Sequence, residues 1–178
     1  MKDTATLIKA VHFAADRHRD QRRKDKGATP YINHPVSLAH ILTDEGGIDD
    51  IDVLCAALLH DTIEDTDTTA EELRTHFGER ITSIVLEVTD DITRHWTVRK
   101  QTQIDHAPYL SHEAKLVKLA DKISNLRDLL AFPPHDWATE RRHAYVDFTS
   151  AVVAGLRGTN ARLEAAFDAL VARRVEIA

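Results

Sequence analysis

Leu116, Leu119, Ala120, Ile123, Leu126 and Leu130 recur at the spacing of one helix face, while Lys118, Asp121, Asn125 and Asp128 fall on the opposite face. A stripe of that length must be buried against other elements, and the rest of the chain offers helices for the purpose. Leu7, Ala10, Val11 and Ala14 follow Thr4 at helical spacing, up to the basic run RHRDQRRKDK. Asn33-His34-Pro35 reads as a helix start, since proline is tolerated in the first turn, and Leu38, Ile41 and Leu42 share a face behind it. A third helix near Ile51 carries Leu54, Leu58 and Leu59 towards an acidic stretch. Thr69-Ala70-Glu71-Glu72 fits a capping box that opens a short helix, which Gly78 ends.

Ile81, Ile84, Val85 and Val88 form another stripe, and a modest helix through Lys100 and Ile104 closes at Pro108. Pro133-Pro134 breaks the long helix, and two more are expected over about 138–156 and 160–173. The sequence shows no alternating strand, repeat, glycine-rich phosphate loop or low-complexity linker. The expected fold class is therefore all-α, a single helical bundle. With 178 residues, 43% of them hydrophobic, the chain can bury one sizeable core, and 1–178 is read as one domain.

Charge narrows the partners. A net charge of -6 argues against the broad basic surface that duplex binding needs, so no nucleic acid is expected. The longest apolar run, 53–59, is far shorter than the roughly 20 residues of a membrane span, and the amino terminus lacks a secretory layout. These features point to the cytoplasm. The single cysteine, Cys55, is expected to be a small core residue. Arg17, Arg19, Arg22, Arg23, Lys24 and Lys26 concentrate positive charge in an otherwise acidic protein.

LLHDTIEDTD raises the chemical question. Four carboxylates in seven positions would repel one another, and a partly buried cluster would respond by taking up protons. A divalent cation removes the conflict. On one helix, His60 would lie a turn from Glu64 and Asp61 a turn from Asp65, giving two acidic rows. Neighbours on a helix diverge by about 100 degrees, so His60 and Asp61 meet at one ion only if it sits between them. Further ligands are needed, and His34 and Asp121 are candidates. The set His34, His60, Asp61 and Asp121 offers nitrogen and oxygen donors suited to manganese, iron or zinc. Each has a plainer reading: His34 could cap its helix, and Asp121 could pair with Lys118 or Lys122.

The spaced H…HD…D set with the flanking EDT resembles the HD-domain superfamily of metal-dependent phosphohydrolases. The order RRKDKGATPYINHP, ILTDEGGIDDIDVLCAALLHDTIEDTDTT, HFG, EVTDD, AKLVKLADKISNLRDL and GLRGTN is similar to the small alarmone hydrolases of the Mesh1 type, related to the hydrolase half of the RelA/SpoT enzymes. Matching segments run from about Ala14 to Leu163. The resemblance implies a manganese-dependent hydrolase that removes pyrophosphate from the 3′ position of guanosine tetra- or pentaphosphate, leaving GDP or GTP. It assigns His34, His60, Asp61 and Asp121 to one metal ion, and Glu64 and Asp65 to the catalytic acidic pair. It sets Arg23 and Lys24 beside the guanosine and its phosphates, Tyr31 and Asn125 in the nucleotide pocket, and Arg141 and Tyr145 at the second pyrophosphate or the base. The chain ends at Ala178 before any segment that could form a synthetase or regulatory domain, and nothing visible requires a protein partner, so hydrolysis without synthesis is expected.

The family commonly carries two lysines facing the phosphates where this chain has Ile92 and Trp96. Arg94, Arg99 or Lys100 could supply that charge, and Trp96 is expected to pack rather than to stack on a base. Two other readings keep some of the same residues: an NADPH 2′-phosphatase at the same metal, or a nucleotide-binding protein with a dead site. The intact six-residue set argues against the last.

Overall fold

A computed structural model describes residues 2–177, and the ends of the expected unit, Met1 and Ala178, lie outside the described residues. Its helices are α1 (Lys2–Arg17), α2 (Asn33–His40), α3 (Ile51–Leu59), α4 (Thr62–Asp65), α5 (Ala70–Phe77), α6 (Glu79–Val88), α7 (Trp96–His106), α8 (His112–Ala131), α9 (Thr139–Ala154) and α10 (Ala161–Ala172). No strand occurs among the described residues beyond an isolated bridge between Arg22 and Pro30, so the all-α expectation holds.

The core is organised around α3 and α8. Every residue of α3 from Val53 to Leu59 is buried, because α1, α2, α6 and α8 all pack on it. Burying a leucine side chain is worth roughly 1.5–3 kcal/mol, so Leu54, Leu58 and Leu59 anchor the segment that leads into the acidic stretch. Cys55 is fully buried within that wall, and burial pushes its thiol up to about 12, which makes it inert. The long helix α8 packs on α2, α3, α6, α9 and α10 and buries Leu119, Ile123 and Leu126.

Local chemistry explains the boundaries. Ser111 Oγ accepts from Ala114 N at 3.1 Å to start α8, and Asn160 accepts from Arg162 N and Leu163 N, both at 3.1 Å, to start α10. Thr69 accepts from Glu72 N at 3.2 Å, but the returning half of the expected capping box is missing, because Glu72 is spent on Arg17. Gly78 ends α5 with φ of 84°, the left-handed conformation that glycine adopts freely.

Two departures from the expected helices shape the site. Behind α2 the chain widens into a π-helical turn, Ile41–Glu45, and closes with Gly46 N donating to Ile41 O at 2.9 Å. A Cβ on Gly46 would lie 2.7 Å from the Leu42 carbonyl oxygen, so the turn requires glycine. The second departure is a break after Leu59: α3 stops, Asp61 turns with φ -99° and ψ 0°, and α4 begins at Thr62. The two parallel acidic rows expected of one continuous helix are therefore corrected to a bend.

Candidate metal centre and active site

The bend brings the doublet together. His60 Nε2 lies 2.9 Å from Asp61 Oδ2, a proximity that two neighbours on a straight helix would not reach. His60 Nδ1 donates to Ala57 O at 2.9 Å, which leaves the lone pair on Nε2 facing inward. That Nε2 is buried and has no hydrogen-bond partner. Facing Asp61 Oδ2 without an aligned hydrogen bond, that nitrogen is open to a proton or a cation.

Two other elements converge on the same point. His34, in the first turn of α2, has Nε2 3.2 Å from Asp121 Oδ1 and 3.9 Å from Asp61 Oδ2, and its Nδ1 lies 3.2 Å from Ser124 Oγ. Asp121 Oδ1 lies 4.0 Å from His60 Nε2. Donor atoms of His34, His60 and Asp121 all fall within 4.8 Å of one another, the arrangement that could hold a metal ion. Asp61 adjoins both imidazoles, and the Tyr31 hydroxyl donates to its Oδ2. A buried Nε2 with no aligned hydrogen bond, beside two partly buried carboxylates, fits a divalent cation with mixed nitrogen and oxygen ligands.

Around these residues lies a cavity of about 200 Å³ that Glu64, Asp65, Asp90, Gln103, Lys118 and Lys122 help to line. It adjoins a second of about 700 Å³, and Arg23, Tyr31, His34, Asp65 and Asn125 border both. The larger cavity is walled by Lys24, Leu129, Phe132, Trp137 and Tyr145. Together they suit a ligand with a phosphorylated end and a flat apolar end.

The HD domain family matches residues 10–158, most of the chain. The chain belongs to the HD-domain family. HD-domain membership implies a divalent metal, and the converged His34, His60 and Asp121 could bind one. Within the family it is 55% identical over 93% of both chains to the Xenopus tropicalis protein named guanosine-3′,5′-bis(diphosphate) 3′-pyrophosphohydrolase MESH1. It is 53% identical to the Homo sapiens MESH1, over 97% of this chain and 96% of that one. A solved structure described as a metazoan ortholog of SpoT that hydrolyzes ppGpp and plays a role in starvation responses superposes with a TM-score of 0.93, at 46% identity over 96% of each chain.

The electrostatics of this HD-domain site follow from burial against pairing. Burial opposes charge on Asp121, but Lys122, 3.1 Å from its Oδ2, and the two imidazoles outweigh it and hold it well below the usual carboxylate range. Asp61 is likewise held low, because the His60 imidazole outweighs desolvation. His34 is pushed down by burial, which favours its neutral form. Burial and the neighbouring Asp61 raise the Tyr31 phenol far above its ordinary value, so it remains a donor. Glu64 differs. Burial raises it to about 7, against the hydrogen bond it accepts from Asp90 N at 3.0 Å.

His60 sets a pH test. Burial opposes its charge, yet Asp61 and Asp121 carry it up to about 9 without metal. Below that pH the imidazole holds a proton that an incoming cation must displace, so acid weakens metal binding. Apparent metal affinity is expected to fall about tenfold per pH unit below 9, with about one proton released at pH 7. Titration calorimetry in buffers of different ionisation enthalpy measures that proton; its absence would contradict the assignment of His60.

The other expected residues divide. Glu64 and Asp65 face the ligand cavity, as do Arg23, Tyr31 and Asn125. Arg23 donates to Asn125 Oδ1 at 2.9 Å and Asp128 Oδ2 at 2.5 Å, and Asn125 donates to Asp121 Oδ1 at 2.6 Å. Lys24 and Tyr145 line the larger cavity. Arg141 does not line either cavity; its guanidinium covers the Trp137 ring at 4.3 Å. The basic run is partly spent elsewhere, with Arg17 paired to Asp67 at 3.2 Å and Arg19 to Asp16 at 2.6 Å.

Among the suggested replacements for the absent lysines, Arg94 pairs with Asp91 at 3.1 Å and Arg99 with Glu64 at 3.3 Å. Lys100 sits over Trp96 and Phe148, at 5.2 and 5.0 Å, with Arg141 and Lys122 near enough to lower its pKa after burial has done so. Trp96 is 57% exposed, so the expectation that it packs is corrected: α7 turns that ring outward, where Lys100 covers one face. Sequence reasoning missed Trp137 and Gln21, and named Lys122 only as a partner for Asp121, a contact the structure has at 3.1 Å. Lys122 had a signal, since it follows Asp121 and sits one turn from Lys118.

Proposed function

We propose that this chain hydrolyses guanosine 3′,5′-bis(diphosphate), and the corresponding pentaphosphate, at the 3′ position, releasing pyrophosphate and leaving GDP or GTP. Manganese as the working ion and the cytoplasm as the location belong to the same reading. The observation that carries it is likeness along nearly the whole chain to relatives bearing that name, in a molecule whose His34, His60, Asp61 and Asp121 converge beside a nucleotide-sized cavity.

His34, His60, Asp61 and Asp121 would hold the ion. Bound there, a divalent cation would lower the pKa of water and polarise the phosphoryl group under attack. Glu64, poised at about 7, accepts a proton from the attacking water, as a general base working near neutrality does. Asp65 stands where the two cavities meet and orients that water. The bond that breaks joins phosphorus to the ribose 3′ oxygen, which leaves with a proton. Lys122 keeps Asp121 ionised, and the Tyr31 hydroxyl keeps Asp61 turned inward. Arg23 and Lys24 face the diphosphates, while Trp137 and Tyr145 offer aromatic walls to the base.

Purified protein with manganese, offered the tetraphosphate and NADPH separately, tests the proposal. Pyrophosphate and GDP in equal amounts are expected. Inorganic phosphate from NADPH with no pyrophosphate from the tetraphosphate would overturn it.

A further inference from the structure

The loop after α1 contributes to the site through a group other than its cations. Gln21 Nε2 donates to Asp65 Oδ2 at 2.7 Å, and Gln21 Oε1 lies 2.6 Å from His18 Nδ1. The direction of this chain is fixed by chemistry. A carboxylate only accepts, so the amide must turn its nitrogen to Asp65 and its oxygen to His18, whose Nδ1 must then carry a proton. His18 is 2% exposed, and its ring packs against Tyr31 with centroids 4.8 Å apart. Its Nε2 is buried without a partner, so nothing on that side competes to reorient the imidazole.

We propose that His18 and Gln21 are positioning residues for Asp65. Resting on the reading of Asp65 as catalytic, the proposal gives each a separate task. The two ends of a glutamine amide have nearly the same shape and differ only in hydrogen-bond polarity. Reversed, Gln21 would aim its oxygen at the carboxylate and drive Asp65 out of place. The N–H on His18 Nδ1 and the Asp65 carboxylate together oppose that reversal. One oxygen of Asp65 is thereby pinned, and the other is left for the water or the substrate. Misplacing a catalytic group by about 1 Å costs on the order of 100-fold in rate, which is the scale at stake.

The test uses three variants of the full chain. Gln21→Glu keeps the shape, cannot donate, and sets a like charge against Asp65. It is expected to lower kcat about 10- to 100-fold with KM and metal content close to wild type. His18→Phe keeps a ring against Tyr31 but removes the donor, and kcat is expected to fall. His18→Asn returns an N–H close to the Nδ1 position and is expected to recover most of that loss, which a purely packing role for His18 would not allow. Wild-type kcat in Gln21→Glu, beside a wild type that does release pyrophosphate, would overturn the proposal and leave the proposed function standing. A crystal structure of Gln21→Glu needs no turnover: Asp65 is expected to leave its wild-type rotamer. An unmoved Asp65 would overturn the proposal whatever the substrate proves to be.

Discussion

Asp65→Asn is expected to lower kcat for tetraphosphate hydrolysis by about 10²- to 10⁴-fold, the usual worth of a positioned acid or base. The substitution preserves volume and can keep a contact with Gln21, but it removes the negative charge that faces the reacting water. Asp65 is read as acting on water rather than as one of the four residues that would hold the ion, so metal content should stay at the wild-type level. Steady-state kinetics and metal analysis on the same preparation check both halves. A variant with wild-type turnover would remove Asp65 from the mechanism, and one that had lost its metal would make it a ligand.

Asp121→Ala should produce the largest combined effect, on metal and on stability. Asp121 Oδ1 approaches both imidazoles, while Oδ2 lies 3.1 Å from the Lys122 ammonium, whose side chain is only 5% exposed. Burial alone would lower Lys122, but Asp121 outweighs it and holds the ammonium above its ordinary pKa. Removing one member of a buried pair strands the other, at a cost of about 3 kcal/mol or more. In metal-free protein, Tm is expected to fall by roughly 6–12 °C, since a chain of this length shifts about 2–4 °C per kcal/mol. Adding Lys122→Met should return much of that loss without restoring metal binding. An unchanged melting temperature in Asp121→Ala would show that the pair is not buried as described.

Those two substitutions touch residues of different legibility. The apolar face of α8 was readable because one helix carries its own period, and Asp121 was readable as a member of the spaced set. Its setting was less so. Lys118 and Asp121 fall on the face that a sequence alone reads as polar, yet α8 turns that face towards the cavity, where Lys118 is 8% exposed and donates to Val88 O at 3.0 Å. A polar helix face reads the same whether it meets solvent or a charged cavity.

The break between α3 and α4 was hidden for another reason. No glycine or proline marks residues 58–67, and the helical pattern runs unbroken into the acids. Tertiary packing, which buries α3 from Val53 to Leu59 and then turns the chain at His60 and Asp61, decides the geometry there. The same limit applies to Gln21. It sits unremarked among arginines, and only the fold brings it 2.7 Å from a carboxylate 44 residues away.

Anomalous scattering from crystals grown with manganese tests the central claim most directly. The account expects one strong peak coordinated by His34 Nε2, His60 Nε2 and carboxylate oxygens of Asp61 and Asp121, the mixed nitrogen and oxygen set such an ion takes. A peak elsewhere, or one that leaves His60 Nε2 bare and Asp121 bound only to Lys122, would contradict it.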